Sequence, residues 1–202
     1  MKLSILIPVY NQENLVIKAL DNIPRRDDIE VLVRDDGSTD STLTRLLDYV
    51  VDHTDLNLSV FSNGENKGVA YTKNRLLEDA KGKYFHIHDS DDFCLKDAYN
   101  TVIDMLDEAD VYCFDLIINN GTIFHLNSET DGLYCAQIAR FIRKDFAQGI
   151  TFPEHIRAAD DWYFANDLTA RKPNIVYTGI VAYRYNYPRE GSLSDLKAKG
   201  LV

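Results

Sequence analysis

This chain of 202 residues has little that points to a membrane, a nucleic acid or an oxidising compartment. Its three cysteines, Cys94, Cys113 and Cys135, are odd in number and lack metal-site spacing, so reduced, buried thiols are expected. No apolar run approaches the roughly 20 residues that span a bilayer. No signal peptide precedes the first strand, so a cytoplasmic protein without a transmembrane segment is expected. Positive charge is in deficit: 22 Lys and Arg face 32 Asp and Glu. The net charge of −10 argues against broad adhesion to anionic lipid or to nucleic acid, and disfavours a nucleic-acid acceptor. The basic strip Arg140, Arg143 and Lys144 reads as a solvated helix face. Repeats, low-complexity tracts and linkers are also missing. A hydrophobic content of 45% then supplies one sizeable core, and the length is too short for two ordinary domains.

What is present is an alternation of strands and helices. Leu3 to Tyr10 is a short apolar strand, and Pro8, having no N–H, should end its regular pairing. Asn11-Gln12-Glu13 opens a helix whose apolar residues Leu15, Val16, Ala19, Leu20 and Ile23 recur with helical spacing. A second strand, Glu30 to Val33, runs into Arg34-Asp35-Asp36-Gly37-Ser38-Thr39-Asp40. There Gly37 allows a tight turn, and Ser38 or Asp40 can cap the next helix. A third strand, Leu58–Phe61, leads through Asn63-Gly64 to Asn66-Lys67-Gly68 and another helix. Phe85-His86-Ile87-His88 then forms a fourth strand. Four strands alternating with three helices imply a mostly parallel sheet covered on both faces, with polar clusters at the strand carboxyl ends, where such sheets bind ligands.

The fourth strand delivers Asp89-Ser90-Asp91-Asp92 into its loop. Carboxylates this close repel one another unless a cation sits among them, and hard oxygen ligands suit Mg²⁺ or Mn²⁺. Taken alone, the cluster could equally be a solvated acidic turn capping a helix. Further on, residues 111–118 and 121–126 read as two strands joined by Asn119-Asn120-Gly121. His86, His88 and His125 are expected to be hydrogen-bonded core or rim residues. Core packing is likewise the default for Tyr177, Tyr183, Tyr185 and Tyr187. Asp160-Asp161, met alone, would be an acidic first turn favoured by a helix dipole.

Together the motifs resemble glycosyltransferase family 2. The resemblance rests on Ser4 to Asn11, Asp35-Asp36-Gly37-Ser38-Thr39-Asp40, Asn66-Lys67-Gly68, Asn74, Ala80-Lys81-Gly82-Lys83-Tyr84 and Asp89-Ser90-Asp91-Asp92. Shorter matches follow at Phe152-Pro153-Glu154, at Asp160-Asp161 and at Arg189 to Ser194. Two departures stand out. Thr72-Lys73-Asn74 occupies the place of the family's Ala-Arg-Asn, and Asp160-Asp161 that of its Glu-Asp.

The resemblance implies an α/β GT-A fold in one catalytic domain over residues 1–202. Residues 1–100 would form the nucleotide-sugar half, and residues 101–202 the acceptor half with its closing segment. It implies inverting, metal-dependent transfer from a nucleotide diphosphate sugar, with a UDP-sugar favoured, to a hydroxyl acceptor. Pro8, Tyr10, Glu13, Asp36, Asn66, Gly68, Lys73, Asp89 and Ser90 would line the nucleotide. Asp36 would accept from a uracil-type imide, and Asp89 would take the ribose hydroxyls. Asp91, with Asp89, would hold Mn²⁺ or Mg²⁺; Asp92 would cap the following helix or orient the sugar. Arg189 and Ser192 would lie over the phosphates. Asp161 would be the general base, with Asp160 touching the acceptor or tuning its neighbour, and Trp162 is a candidate for the acceptor pocket. A nucleotidyltransferase is the second enzymatic reading, although Ile7-Pro8-Val9-Tyr10-Asn11 offers no glycine-rich phosphate loop. A non-catalytic nucleotide-sugar-binding protein is the third.

Overall fold

The structure, a computed structural model, describes residues 1–128, 137–156 and 159–190, together with Lys199. Its first half is a strict alternation of β1 (Leu3–Val9), α1 (Leu15–Asp21), β2 (Ile29–Asp35), α2 (Thr42–Asp52), β3 (Leu58–Ser62), α3 (Val69–Asp79) and β4 (Tyr84–Ile87). These four strands lie side by side, all parallel, in the order β3-β2-β1-β4. β1 is buried at every position, as a continuous apolar strand covered on both faces must be. Pro8 does not end β1. Pairing with β2 continues through Pro8↔Arg34 to Val9↔Asp35, whereas pairing with β4 stops at Leu6↔Ile87. The missing N–H thus ends regular pairing on one side of the strand alone.

The second half turns the sheet into a mixed one. It contains β5 (Phe93–Cys94), α4 (Lys96–Met105), β6 (Val111–Ile118), β7 (Ile123–Phe124), β8 (Arg140–Arg143), α5 (Asp160–Ala170) and β9 (Ile175–Tyr185). β8 sits antiparallel between β4 and β6, β9 runs parallel to β6, and β5 closes that edge antiparallel to β9. The expected hairpin forms between β6 and β7, with the Gly121 N–H donating to the Ile118 carbonyl at 2.9 Å, but β7 is only two residues long. The basic strip is not a helix face. Arg140 lies in β8 and is 1% exposed, because that strand fills the centre of the sheet.

One core runs from Leu3 to Tyr183 across both halves. Cys94 and Cys113 are buried in it and form no disulfide, as expected, while Cys135 lies outside the described residues. At the amino-terminal edge of the strands a buried polar knot ties β1, β2 and β4. Glu30 Oε1 accepts from Ser4 Oγ and from the Lys81 N–H, both at 2.6 Å, and Ser4 Oγ accepts from the Gly82 N–H at 2.8 Å. The Ala80-Lys81-Gly82 motif is therefore structural. Among the described residues, no helix is long and apolar enough to cross a membrane.

Candidate active site

Because β1 to β4 are parallel, their carboxyl ends share one edge, and the turns after them knit into a single floor. The Asn11 N–H donates to Ser38 Oγ at 2.9 Å, and the Thr39 N–H to Asn11 Oδ1 at 2.8 Å. Glu13 Oε2 accepts from the Ser41 N–H at 3.1 Å. Ser38 therefore serves the floor, while Asp40 holds the start of α2 by accepting from the Thr42 N–H at 2.9 Å. Tyr10 projects from this floor and is 42% exposed; Pro8 is buried beneath it.

Asp36, 4% exposed, binds the turn leading into α3. Its Oδ1 accepts from Asn63 Nδ2 at 2.9 Å and from the Lys67 N–H at 2.8 Å, and its Oδ2 from the Gly68 N–H at 2.9 Å. Three donors leave this carboxylate room for about one more, which fits an added base N–H but makes loop-holding its first task. Gly68 starts α3 at φ 95°, and Gly37 has φ 70°. A Cβ on Gly37 would meet backbone atoms of Glu65 and Asn66 at 2.4–2.6 Å, so the two turns are in direct contact. Asn66 itself is exposed on this rim.

Beyond β4 the acidic turn separates its three carboxylates by burial. Asp92 is fully buried and is not a helix cap; its Oδ1 accepts from the Asn186 N–H at 2.8 Å. Burial, then Asp89, pushes its carboxyl far above the ordinary range. Asp89 and Asp91 remain partly exposed, with the buried Ser90 between them. Loss of water, then Asp91, draws Asp89 up as well; Lys73 opposes this, and Asp161 and Asp160 add to it. Carboxylates from the end of β4 and the start of α5 thus share one electrostatic environment. Asp91 already has a cationic partner, since Arg189 Nε donates to its Oδ2 at 2.7 Å.

α5 presents Asp160 and Asp161 in its first turn. Asp160 is 6% exposed and faces inward, where Lys73 Nζ lies 2.8 Å from its Oδ2. Asp161 is partly exposed and accepts from its neighbour's backbone, the Trp162 N–H, at 3.0 Å. Trp162 and Tyr163 beside it are 50% and 45% exposed, with their rings packed edge to face at 5.1 Å. Arg140 stands behind this group. Burial draws its guanidinium down to about 10, and the charges of Cys113 and Asp161 oppose that shift. His86 in β4 and His88 just after it are packing residues, as expected. His86 bridges Tyr99 Oη and the Ile138 carbonyl, each at 2.6 Å, and His88 Nδ1 lies 2.8 Å from the Asp89 carbonyl. His125 contacts the buried Asp115 at 2.6 Å.

The model of the family described as "Glycosyl transferase family 2" matches residues 4–167. The chain belongs to glycosyltransferase family 2. Among its curated relatives is the poly(ribitol-phosphate) β-glucosyltransferase of Bacillus spizizenii, 30% identical over 95% of this chain and 33% of its own length. The poly(ribitol-phosphate) β-N-acetylglucosaminyltransferase TarS of Staphylococcus aureus is 28% identical over 95% of this chain and 36% of its own. This chain therefore spans about a third of the length of those proteins. In three dimensions it resembles S. aureus TarS 1–349 in complex with UDP-GlcNAc. The TM-score is 0.79, the identity 27%, and the coverage 95% of this chain and 60% of that one. The fold is GT-A, an α/β mixed sheet flanked by helices, as the sequence motifs imply.

Set against the motifs of family 2, the chain brings the candidate residues to one edge with three qualifications. Ser192 lies outside the described residues, and Lys73 and Arg189 each contact a carboxylate. Among the described residues no three His, Cys, Asp or Glu side chains converge on a point. Asp89 and Asp91 nevertheless offer two hard oxygen donors whose mutual repulsion a divalent cation relieves. That donor set fits Mg²⁺ or Mn²⁺ completed by phosphate and water. Sequence reading missed the buried Arg140, the Arg189–Asp91 pair and the Lys73–Asp160 pair. No local pattern signals them, since the members of the last two lie 98 and 87 residues apart.

Proposed function

We propose that this family 2 chain is an inverting, metal-dependent glycosyltransferase that uses a UDP-sugar and a hydroxyl acceptor. The carrying observation is the convergence of two carboxylate sets at one sheet edge: Asp89 and Asp91 after β4, and Asp161 at the start of α5, with Asp91 and Asp161 both close enough to raise the proton affinity of Asp89. UDP-GlcNAc bound by the S. aureus relative supports the donor class.

The turns holding Pro8, Tyr10, Glu13, Asp36, Asn66 and Gly68 form the nucleotide floor. Asp36 offers its remaining lone pair to a uracil imide, and Asp89 and Ser90 lie toward the ribose. Asp89 and Asp91 would hold Mn²⁺ or Mg²⁺, which when bound supplies counter-charge to the departing diphosphate. Arg189, together with Ser192, would then be drawn to the same phosphates. Asp161 takes the acceptor's hydroxyl proton while that oxygen forms a bond to the anomeric carbon. The bond from this carbon to the diphosphate oxygen breaks on the opposite face and inverts the configuration. Trp162 and Tyr163, exposed beside the base, supply flat apolar surface for the acceptor.

The test is transfer and hydrolysis of UDP-, dTDP-, GDP- and CMP-sugars, with and without Mn²⁺. Poly(ribitol phosphate) belongs among the acceptors, because two relatives are named for acting on it. Mn²⁺-stimulated consumption of a UDP-sugar is the expected result. Binding of UDP without any turnover would make the chain a nucleotide-sugar-binding protein.

A further inference from the structure

The two positions at which this chain departs from the family pattern face each other. Lys73, where an arginine is usual, and Asp160, where a glutamate is usual, meet at 2.8 Å with side chains 10% and 8% exposed. Both replacements shorten the side chain, and the shorter pair still meets. Lys73 Nζ also lies 4.9 Å over the ring of Phe152, on the approach to α5, while its charge reaches Asp89 as well. Phe152 in turn stacks on Phe164 of α5 at 4.2 Å, with the rings 8° apart.

The next residue of α3 grips the same segment. Asn74 Nδ2 donates to the Phe152 carbonyl and to Glu154 Oε1, both at 2.9 Å, and its Oδ1 accepts from the Phe152 N–H at 2.8 Å. The chain then passes through Ala159, whose φ of 68° is a left-handed conformation costly for a residue with a Cβ. Such a turn persists only when its surroundings over-determine it. Here the Asn74 grip stands on one side of it and the Lys73–Asp160 pair on the other. The result is that consecutive carboxylates differ in burial, Asp160 held inward against Lys73 and Asp161 left partly exposed.

We propose that Lys73 is a positioning residue for the general base rather than a ligand of the nucleotide: by holding Asp160 it fixes the first turn of α5 so that Asp161 alone faces the acceptor. This rests on the functional reading above, in which Asp161 takes the proton. It assigns the family's arginine position in this chain to the acceptor side of the site and gives Asp160 no contact with substrate.

The experiment compares Lys73→Met, Asp160→Asn and the double variant with the wild type. UDP affinity is measured by calorimetry in saturating Mn²⁺, and kcat and acceptor KM are measured from transfer. Each single variant should lower kcat about tenfold or more while changing UDP affinity and acceptor KM less than about threefold, the split expected of a group acting on the base. In the Asp160→Asn background, Lys73→Met should cost less than about threefold further, because the interaction through which Lys73 acts has already been weakened. If Lys73→Met alone does not fold with Asp160 left unpaired, the comparison of Asp160→Asn with the double variant still decides the matter. A tenfold loss of UDP affinity on replacing Lys73 in either background, or rate losses that multiply, would overturn the proposal. A wild type that binds no UDP and transfers no sugar rejects instead the functional reading on which it depends.

Discussion

Asp91 differs from its neighbours in having a cation beside it before any ligand arrives. Arg189 at 2.7 Å compensates its charge, whereas Asp89 and Asp92 are drawn up by lost hydration, then by a neighbouring carboxylate, Asp91 acting on Asp89 and Asp89 on Asp92. Asp91→Asn should therefore fold normally and lose Mn²⁺-stimulated turnover, because a partly exposed rim carboxylate contributes little to the core while losing a Lewis acid costs several kcal/mol. Retention of more than about a tenth of the wild-type rate would remove Asp91 from the metal role. The raised carboxyls also fix a pH dependence. A carboxyl whose folded pKa lies above its unfolded value contributes stability below about pH 4, and this is lost as pH rises through the folded pKa. His86 and His88 act in the opposite sense, because burial holds them neutral and their contribution is lost only as pH falls below about 6.5. Between about pH 7 and 8 the carboxyl slope leads, at up to about 1.4 kcal/mol per pH unit for each proton released; above that the buried Cys94, whose thiol burial pushes up, adds a slope of the same sign. Denaturant unfolding should show falling stability from about pH 7 to 8, and Asp92→Asn should flatten that fall. An equally steep fall in the variant would place the cause elsewhere.

At the scale of single elements, the two ends of the strands do different work, and two glycines separate them. A Cβ on Gly82 would meet backbone atoms of Ser4, Tyr84 and Leu3 at 2.6–2.8 Å, within the knot at the amino-terminal edge. Gly82→Ala should cost about 1–3 kcal/mol of stability and leave UDP affinity unchanged, measured by denaturant melts beside calorimetry. Gly37→Ala lies at the other edge, where the added carbon drives the Asp36 turn against Glu65 and Asn66. It should weaken UDP binding tenfold or more. Exchange of those two outcomes would mean that the nucleotide floor has been misplaced.

The elements also show where sequence reading works. β1 to β4 were legible because each is a short apolar run closed by turn residues, and because repeated alternation leaves one economical sheet. β8 was not legible. Four residues carry too little periodicity to separate strand from helix, and Arg140 and Arg143, three apart, suggest a helical face. That Arg140 is buried is a property of the neighbouring β4 and β6, not of its own segment. Asp36 stood out as a candidate from Asp35-Asp36-Gly37, but its three internal donors come from a turn some thirty residues away, which no local pattern shows.

Across the whole molecule, a single sheet continues from the first half into the second through β4 and β8, and this joins the proposed donor floor to the proposed base. The largest contribution of tertiary structure to the site is that junction, which lets Lys73 on α3 reach Asp160 on α5. A cavity of about 670 Å³ lies at the opposite, amino-terminal edge, lined by Met1, Gly82, Lys83 and Lys144 among others, so size alone does not locate the chemistry. The acidic balance of −10 also belongs to this scale: it leaves the site dependent on local cations, Lys73, Arg140 and Arg189, rather than on a basic surface.

The central claim, that Asp161 is the base of a transfer whose donor is held elsewhere, is tested most directly by one comparison. Transfer rate and UDP affinity are measured side by side for the wild type and Asp161→Asn. The expected result is a fall in rate of about 10²–10⁴-fold with UDP affinity preserved, because a general base acts in the transition state and not in donor binding. An Asp161→Asn variant that transfers sugar at close to the wild-type rate would contradict it.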